Sequence, residues 1–303
     1  VRYRPFGRSG LALSTVGLRL KTDTLNNNRA LMKKLIVSGL ENGINTYHFD
    51  TLDVGLLRAA AEAFSVVDRK LLFVTVTAHE SYETSDATTY ALAPLKERLR
   101  GAIKESGLQW LDVLYFGQPG AALLSEDTLN FLLSLQKSNM LRFLGGIGET
   151  DDMTSLIACD HFSVIQTSFD IDSSWDKRRK IDDAVVRDMN VIATDFYPQA
   201  YRKESDVVPK EARRGFFGGK AKNPLAGAGT HAFLHQTPDW TPEQLCLGYA
   251  LAQSSMSCIL IDAESPEHLE SLADVPERHL PSSVPAQIEM ARFNERAAKL
   301  AGG

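Results

Sequence analysis

Cysteine is scarce in this chain: Cys159, Cys246 and Cys258 are all that 303 residues contain. The number is odd and no two stand at metal-site spacing, which excludes a disulfide framework and a zinc ribbon. Each reads as buried filler in a reduced protein. Positive charge is not in surplus. A net charge of −5 offers no general attraction to nucleic acid or to an anionic membrane. Long apolar runs are missing as well: none reaches the roughly 20 residues of a membrane span. The opening "VRYRPFGRSG" has no apolar signal core. A cytoplasmic protein is the expectation. No linker or low-complexity tract interrupts the chain. What is present, 44% hydrophobic and 23% charged residues, is a globular composition. The length suits one large α/β barrel or two ordinary domains.

The order of elements decides between these. Residues 2–15 read as a hairpin turning at Arg8-Ser9-Gly10. Apolar strands are expected at 15–20, 44–49, 71–77, 111–116, 141–147, 163–168, 191–194 and 258–262. Helices are expected between them at 28–42, 54–64, 125–138, 150–159 and about 175–188. A longer one over 86–106 should kink at Pro94. Two more start at Thr241 and Ser265, and Pro285 to Leu300 reads as an extra amphipathic helix. Eight strand–helix units imply an α/β fold, a (β/α)8 TIM barrel with an N-terminal hairpin and an extra C-terminal helix. A single domain over 1–303 is expected. The piece from Asp195 to Trp240 is too long for a mere connection and reads as a functional loop.

The stretch "GINTYHFDTLDVG" (43–55) organises the rest. It is a strand that ends on a carboxylate, Asp50, just before a helix, which is where such barrels place their chemistry. His48 lies two residues earlier, on the same strand face.

This stretch resembles the aldo-keto reductase signature D-T-A-x-x-Y. "RYRPFGRSGLALSTVGL" resembles that family's opening hairpin, and "LKERLRGAIKESGLQWLDVLYF" its long helix entering a strand. "TPEQLCLGYALAQSSMSCILIDAESPEHLESL" is similar to its C-terminal cofactor segment. The resemblance implies a barrel with its active site at the strand C-termini. There a tyrosine protonates the carbonyl as NADPH delivers hydride, a lysine paired with an aspartate lowers the tyrosine's pKa, and a histidine orients the substrate. Carried onto this chain, the aspartate is Asp50, the tyrosine position is Gly55, the lysine position is Thr77 and the histidine position is Gly117. Three of the four side chains are replaced.

The cofactor positions are mixed. Gln166 stands where the family glutamine holds the nicotinamide amide, and "RRGFFGGK" (213–220) resembles the loop closing over the pyrophosphate. From that loop Arg214, Gly215 and Lys220 are cofactor candidates by resemblance, with Ser265 and His268 further on. The family's Ser-Asn falls on Ile147-Gly148, and its stacking tyrosine on Thr194, with Phe196 or Tyr197 one shift away. The strand-eight glycine is Asp262, Glu264 follows, and the adenine-contacting asparagine falls on Leu272. Acids where a 2′-phosphate should sit are unfavourable, and "DAESPEHLES" contains no arginine to offset them. Any NADPH or NADH binding is expected to be weak.

His48 and Asp50 together are a candidate acid–base pair, although histidine two before the aspartate is a packing residue in the family. Asp50, without its lysine, must be rebonded or protonated. His79 and Tyr115 are candidates to enter the emptied pocket, and packing or rim is the plainer reading of each. Three functions stay open. One is a degenerate reductase-like barrel, a pseudoenzyme that binds a small molecule or a protein partner. The second is an NAD(P)-dependent oxidoreductase with a rearranged proton donor. The third is a non-redox isomerase or lyase working through Asp50 and His48. If the protein is an enzyme, an oxidoreductase is the default class. Neither nucleic acid, membrane nor metal is implied.

Overall fold

Short runs of β-branched and aromatic residues, alternating with helices, build this molecule. The computed structural model describes residues 1–25, 28–78, 90–117, 124–202 and 231–301, with side chains through 294. A hairpin of β1 (Tyr3–Pro5) and β2 (Ala12–Ser14) comes first. Eight strands follow: β3 (Val16–Leu20), β4 (Thr46–Phe49), β5 (Phe73–Thr77), β6 (Leu111–Gly117), β7 (Leu141–Ile147), β8 (Val164–Ser168), β9 (Asn190–Thr194) and β10 (Cys258–Ile261). They are parallel and close in the order β10-β3-β4-β5-β6-β7-β8-β9. This is the expected TIM-type barrel. The helix beginnings are built from side chains: Asn28, Asp53, Ser125, Ser174, Thr241 and Ser265 each accept a backbone N–H of the first turn. The extra C-terminal helix is present at Ser283–Ala301.

Inside the barrel, alternate residues of every strand meet. Val113, Tyr115, Val164, Ile192, Cys258 and Leu260 form one buried cluster with Phe6 and Leu13 of the hairpin. Phe6 sits 4.8 Å from the ring of Phe73 and 5.2 Å from that of Phe143, so the hairpin plugs the N-terminal end. Tyr115 fills the middle: a Cβ at Gly145 would lie 2.5 Å from its ring, which is why that strand carries glycine there. On the outer side, Asp112 is fully buried and joins three neighbouring strands. It accepts the Val74 N–H at 2.8 Å, Arg69 at 3.0 Å and Arg142 at 2.8 Å.

The helix expected over 86–106 differs. It is described from Leu92 to Arg100 and continues as a π-turn, Gly101–Glu105. Pro94 lies in its first turn, where the missing N–H has no intrahelical partner to lose, so the expected kink is replaced by a helix start. Residues 79–89, which include His79, lie outside the described residues, as do 118–123 and 203–230.

Candidate functional site

The C-terminal ends of the strands form the mouth of the barrel, and Asp50 stands at its edge after β4. Its carboxylate accepts the Thr22 backbone N–H at 3.0 and 3.1 Å and the Thr22 hydroxyl at 3.0 Å. Thr22 begins the short helix Thr22–Leu25, so Asp50 is bonded to the chain just after β3. Burial raises its pKa, and the Thr22 bonds oppose that rise.

His48 does not share a hydrogen bond with Asp50. Its Nδ1 lies 2.8 Å from Thr75 Oγ1 and its Nε2 3.3 Å from Thr77 Oγ1. The ring meets Tyr115 edge-on at 5.6 Å. Burial, with the Arg19 and Lys21 charges, lowers its pKa to about 3, so the imidazole is neutral and enclosed. Thr77, at the lysine position, is thereby spent on packing this histidine. Gly117 ends β6 and is buried against Ile147 across the sheet. Gly55 is the second residue of the helix Val54–Phe64. A Cβ there would meet Arg29 Nη2 at 2.7 Å, so any side chain would first have to displace that guanidinium.

The chief feature of the mouth is an ion-pair network absent from the sequence reading. Arg19, near the end of β3, donates from Nε and Nη2 to the two Asp262 oxygens, at 2.7 Å each. It also donates to Asp195, at 3.0 and 2.7 Å. Lys21 Nζ adds a contact of 3.1 Å to Asp262. The Arg19 side chain is only 9% exposed. Burial alone would push the Asp195 carboxyl up, but the Arg19 bonds and charge outweigh it and hold it at about 2. Asp262 is lowered for the same reason. The negative charge read from Asp262 in isolation is thus matched by two cations from β3 and its end. The available signal was an arginine in "TVGLRL", an otherwise uncharged strand, in the inward register of Gly17.

Gln166 faces the mouth, 4% exposed, and its Oε1 has no hydrogen-bond partner among the described residues. Beside it Ser168 joins Lys177 and Glu149: Lys177 Nζ lies 2.5 Å from both Ser168 Oγ and Glu149 Oε2. Ser265 accepts the His268 N–H at 3.2 Å as a helix cap, and His268 Nε2 lies 3.0 Å from Glu243 Oε2. The Glu243 bond raises the His268 pKa despite partial burial. Arg214, Gly215 and Lys220 lie outside the described residues. Among the described residues no cluster of His, Cys, Asp and Glu could hold a metal, and no helix is long and apolar enough to cross a membrane.

No family model matches this chain, and no curated protein does. Solved structures do. Two from Pseudomonas aeruginosa, each described as a putative aldo-keto reductase, align over 90% of this chain and 95% and 94% of their own. Their TM-scores are 0.62 and 0.60, at 11% and 12% identity. At that identity the likeness is one of fold: like them, this chain folds as an eight-stranded parallel α/β barrel.

Proposed function

We propose that the protein is a reductase-like barrel that binds a small molecule at its mouth without reducing carbonyls. One observation carries this: Thr77, at the lysine position, is engaged with a neutral His48, while Asp50 is satisfied by Thr22. Neither Thr77 nor Gly117 carries a charge that could tune a proton donor, and Gly55 supplies none. Hydride transfer to a carbonyl needs a proton at the developing alkoxide, and a positioned general acid contributes about 10²–10⁴-fold. The remaining tetrad losses act on the same step, so their factors do not multiply.

The residues fit a 2′-phosphorylated nicotinamide cofactor poorly. Gln166 Oε1 is available to an amide, which favours some ligand with a donor there. Against NADPH, Ser265 is spent as a helix cap and His268 is held by Glu243. The loss of one charge-assisted contact, roughly 1.5–3 kcal/mol, weakens binding by about 10- to 150-fold. The isomerase or lyase reading asks His48 and Asp50 to act together, and their separate partners favour structural roles for both.

The test is fluorescence titration with NADPH and NADH, followed by oxidation assays over an aldehyde and quinone panel. The expected outcome is weak or no cofactor binding without preference for NADPH, and turnover near background. Turnover on the order of 1 s⁻¹, within the ordinary enzyme range, would overturn the proposal and favour the rearranged oxidoreductase.

A further inference from the structure

At the end of the barrel opposite the mouth, a cleft of about 340 Å³ lies between the hairpin, the last turn of the helix Pro242–Leu251 and the segment 275–280. Its lining holds three guanidinium groups, those of Arg2, Arg4 and Arg278. Arg4 donates to the carbonyls of Gln253 at 3.1 Å, Met256 at 2.6 Å and Leu251 at 2.5 Å. Arg278 stacks 3.8 Å above Trp240 and donates to Gln244 Oε1 at 3.1 Å and to the Asp239 carbonyl. Among the described residues no carboxylate pairs with either. Arg2 has one long contact, 3.7 Å, to Glu277, which is half exposed.

Structural clamping explains part of this. The Arg4 bonds close the carbonyl end of a helix, where a cation is favourable. Clamping leaves two things over. A guanidinium has five N–H donors, so Arg4 and Arg278 both keep unused ones. Thr15 also lines the cleft and is 5% exposed; its Oγ1 is itself buried and has no hydrogen-bond partner among the described residues. A buried hydroxyl without a partner is costly, and turning this side chain onto a ligand oxygen in the cleft would relieve it. Three guanidinium groups against the single carboxylate of Glu277 leave a surplus of two positive charges. That matches the −1.5 to −2 or so carried by a phosphate monoester near neutral pH.

We propose that this cleft binds a small organic phosphate monoester. Its phosphoryl oxygens take the spare donors of Arg2, Arg4 and Arg278 and the Thr15 hydroxyl. Its carbon body lies on the apolar wall of Leu251, Val275 and Pro276. The site is separate from the mouth and does not depend on what the mouth binds.

The probes are phenyl phosphate, inorganic phosphate and benzoate, titrated calorimetrically into the full chain at constant ionic strength set with chloride. Phenyl phosphate is expected to bind one to one with a submillimolar Kd, ahead of inorganic phosphate and well ahead of benzoate. Arg278→Gln should weaken it by about tenfold or more, the effect of one charge-assisted contact. Thr15→Val and the exposed Arg2→Gln should each weaken it about threefold; they carry the test if circular dichroism shows Arg278→Gln unfolded. Asp262→Asn, at the mouth, should leave it unchanged. No binding, or binding equal in wild type and every cleft variant, would overturn the proposal. Loss in Asp262→Asn with retention in the cleft variants would move the ligand to the mouth, refuting this site and leaving the proposed function standing.

Discussion

His48 shows how far a single residue is governed by its surroundings. The same imidazole, exposed, would titrate near 6.5; enclosed between Thr75, Thr77 and Tyr115 it stays neutral down to about pH 3. Its folded pKa lies below the unfolded value, so between these limits the unfolded chain binds the extra proton. Its contribution therefore declines as pH falls below about 6.5, by at most ~1.4 kcal/mol per pH unit. Urea unfolding at pH 7 and pH 5 should show the wild type losing more stability than His48→Gln over that interval. Equal losses would mean that the histidine protonates freely in the folded state. Asp50 carries the same lesson with the opposite chemistry: the Thr22 N–H and hydroxyl supply the donors its carboxylate needs.

At the scale of elements, the Arg19 network ties β3 to the ends of β9 and β10, closing the barrel at its seam. Truncating one partner of a buried pair costs about 3–5 kcal/mol. The Asp262 side chain is 38% exposed, so solvent screening reduces the expectation for Asp262→Asn to roughly 1–2 kcal/mol. Both carboxyls are depressed in the fold. Their stabilisation is complete above the unfolded carboxylate pKa, about 3.8, and is lost as pH falls through the folded values, about 2 for Asp195. Chemical denaturation at pH 7 and pH 3 should therefore show a smaller acid loss in the Asp195→Asn/Asp262→Asn double variant than in the wild type. An acid loss of the same size in both would show that the network contributes nothing.

Across the whole molecule the two barrel ends have different duties. The N-terminal end is closed by Phe6, cross-braced on its outer face by Asp112 and flanked by the arginine cleft, whereas the mouth holds the Arg19 ion pairs and the Gln166 amide. Conserving stability at the bottom and chemistry at the top is the usual division in such barrels. Asp112→Ala would leave Arg69 and Arg142 without their buried counter-ion, an expected loss of about 3–5 kcal/mol. Calorimetry should register a fall in melting temperature on the order of 5–10 °C. An unchanged melting temperature would show that the two arginines find other acceptors.

The barrel itself was legible in the order of residues. Period-two strands, capped helix starts and the hairpin at Arg8-Ser9-Gly10 are local signals, and the eight strands lie within a residue or two of where the pattern puts them. That Gly55, Thr77 and Gly117 carry no tyrosine, lysine or histidine is also plain in the sequence, although only the resemblance marks these as tetrad positions. What fills the mouth was not legible. Arg19 and Asp262 are 243 positions apart, and only closure of β10 against β3 brings them to 2.7 Å. Asp262 looks unopposed in the sequence because its cations, Arg19 and Lys21, arrive from the other end of the chain. Asp50 finds its donors 28 positions earlier, and the arginine cleft joins residues 2–15 to residues 240–280. Side-chain periodicity is a property of neighbours along the chain. Charge pairing and burial are properties of neighbours in space, and these only the closed barrel decides.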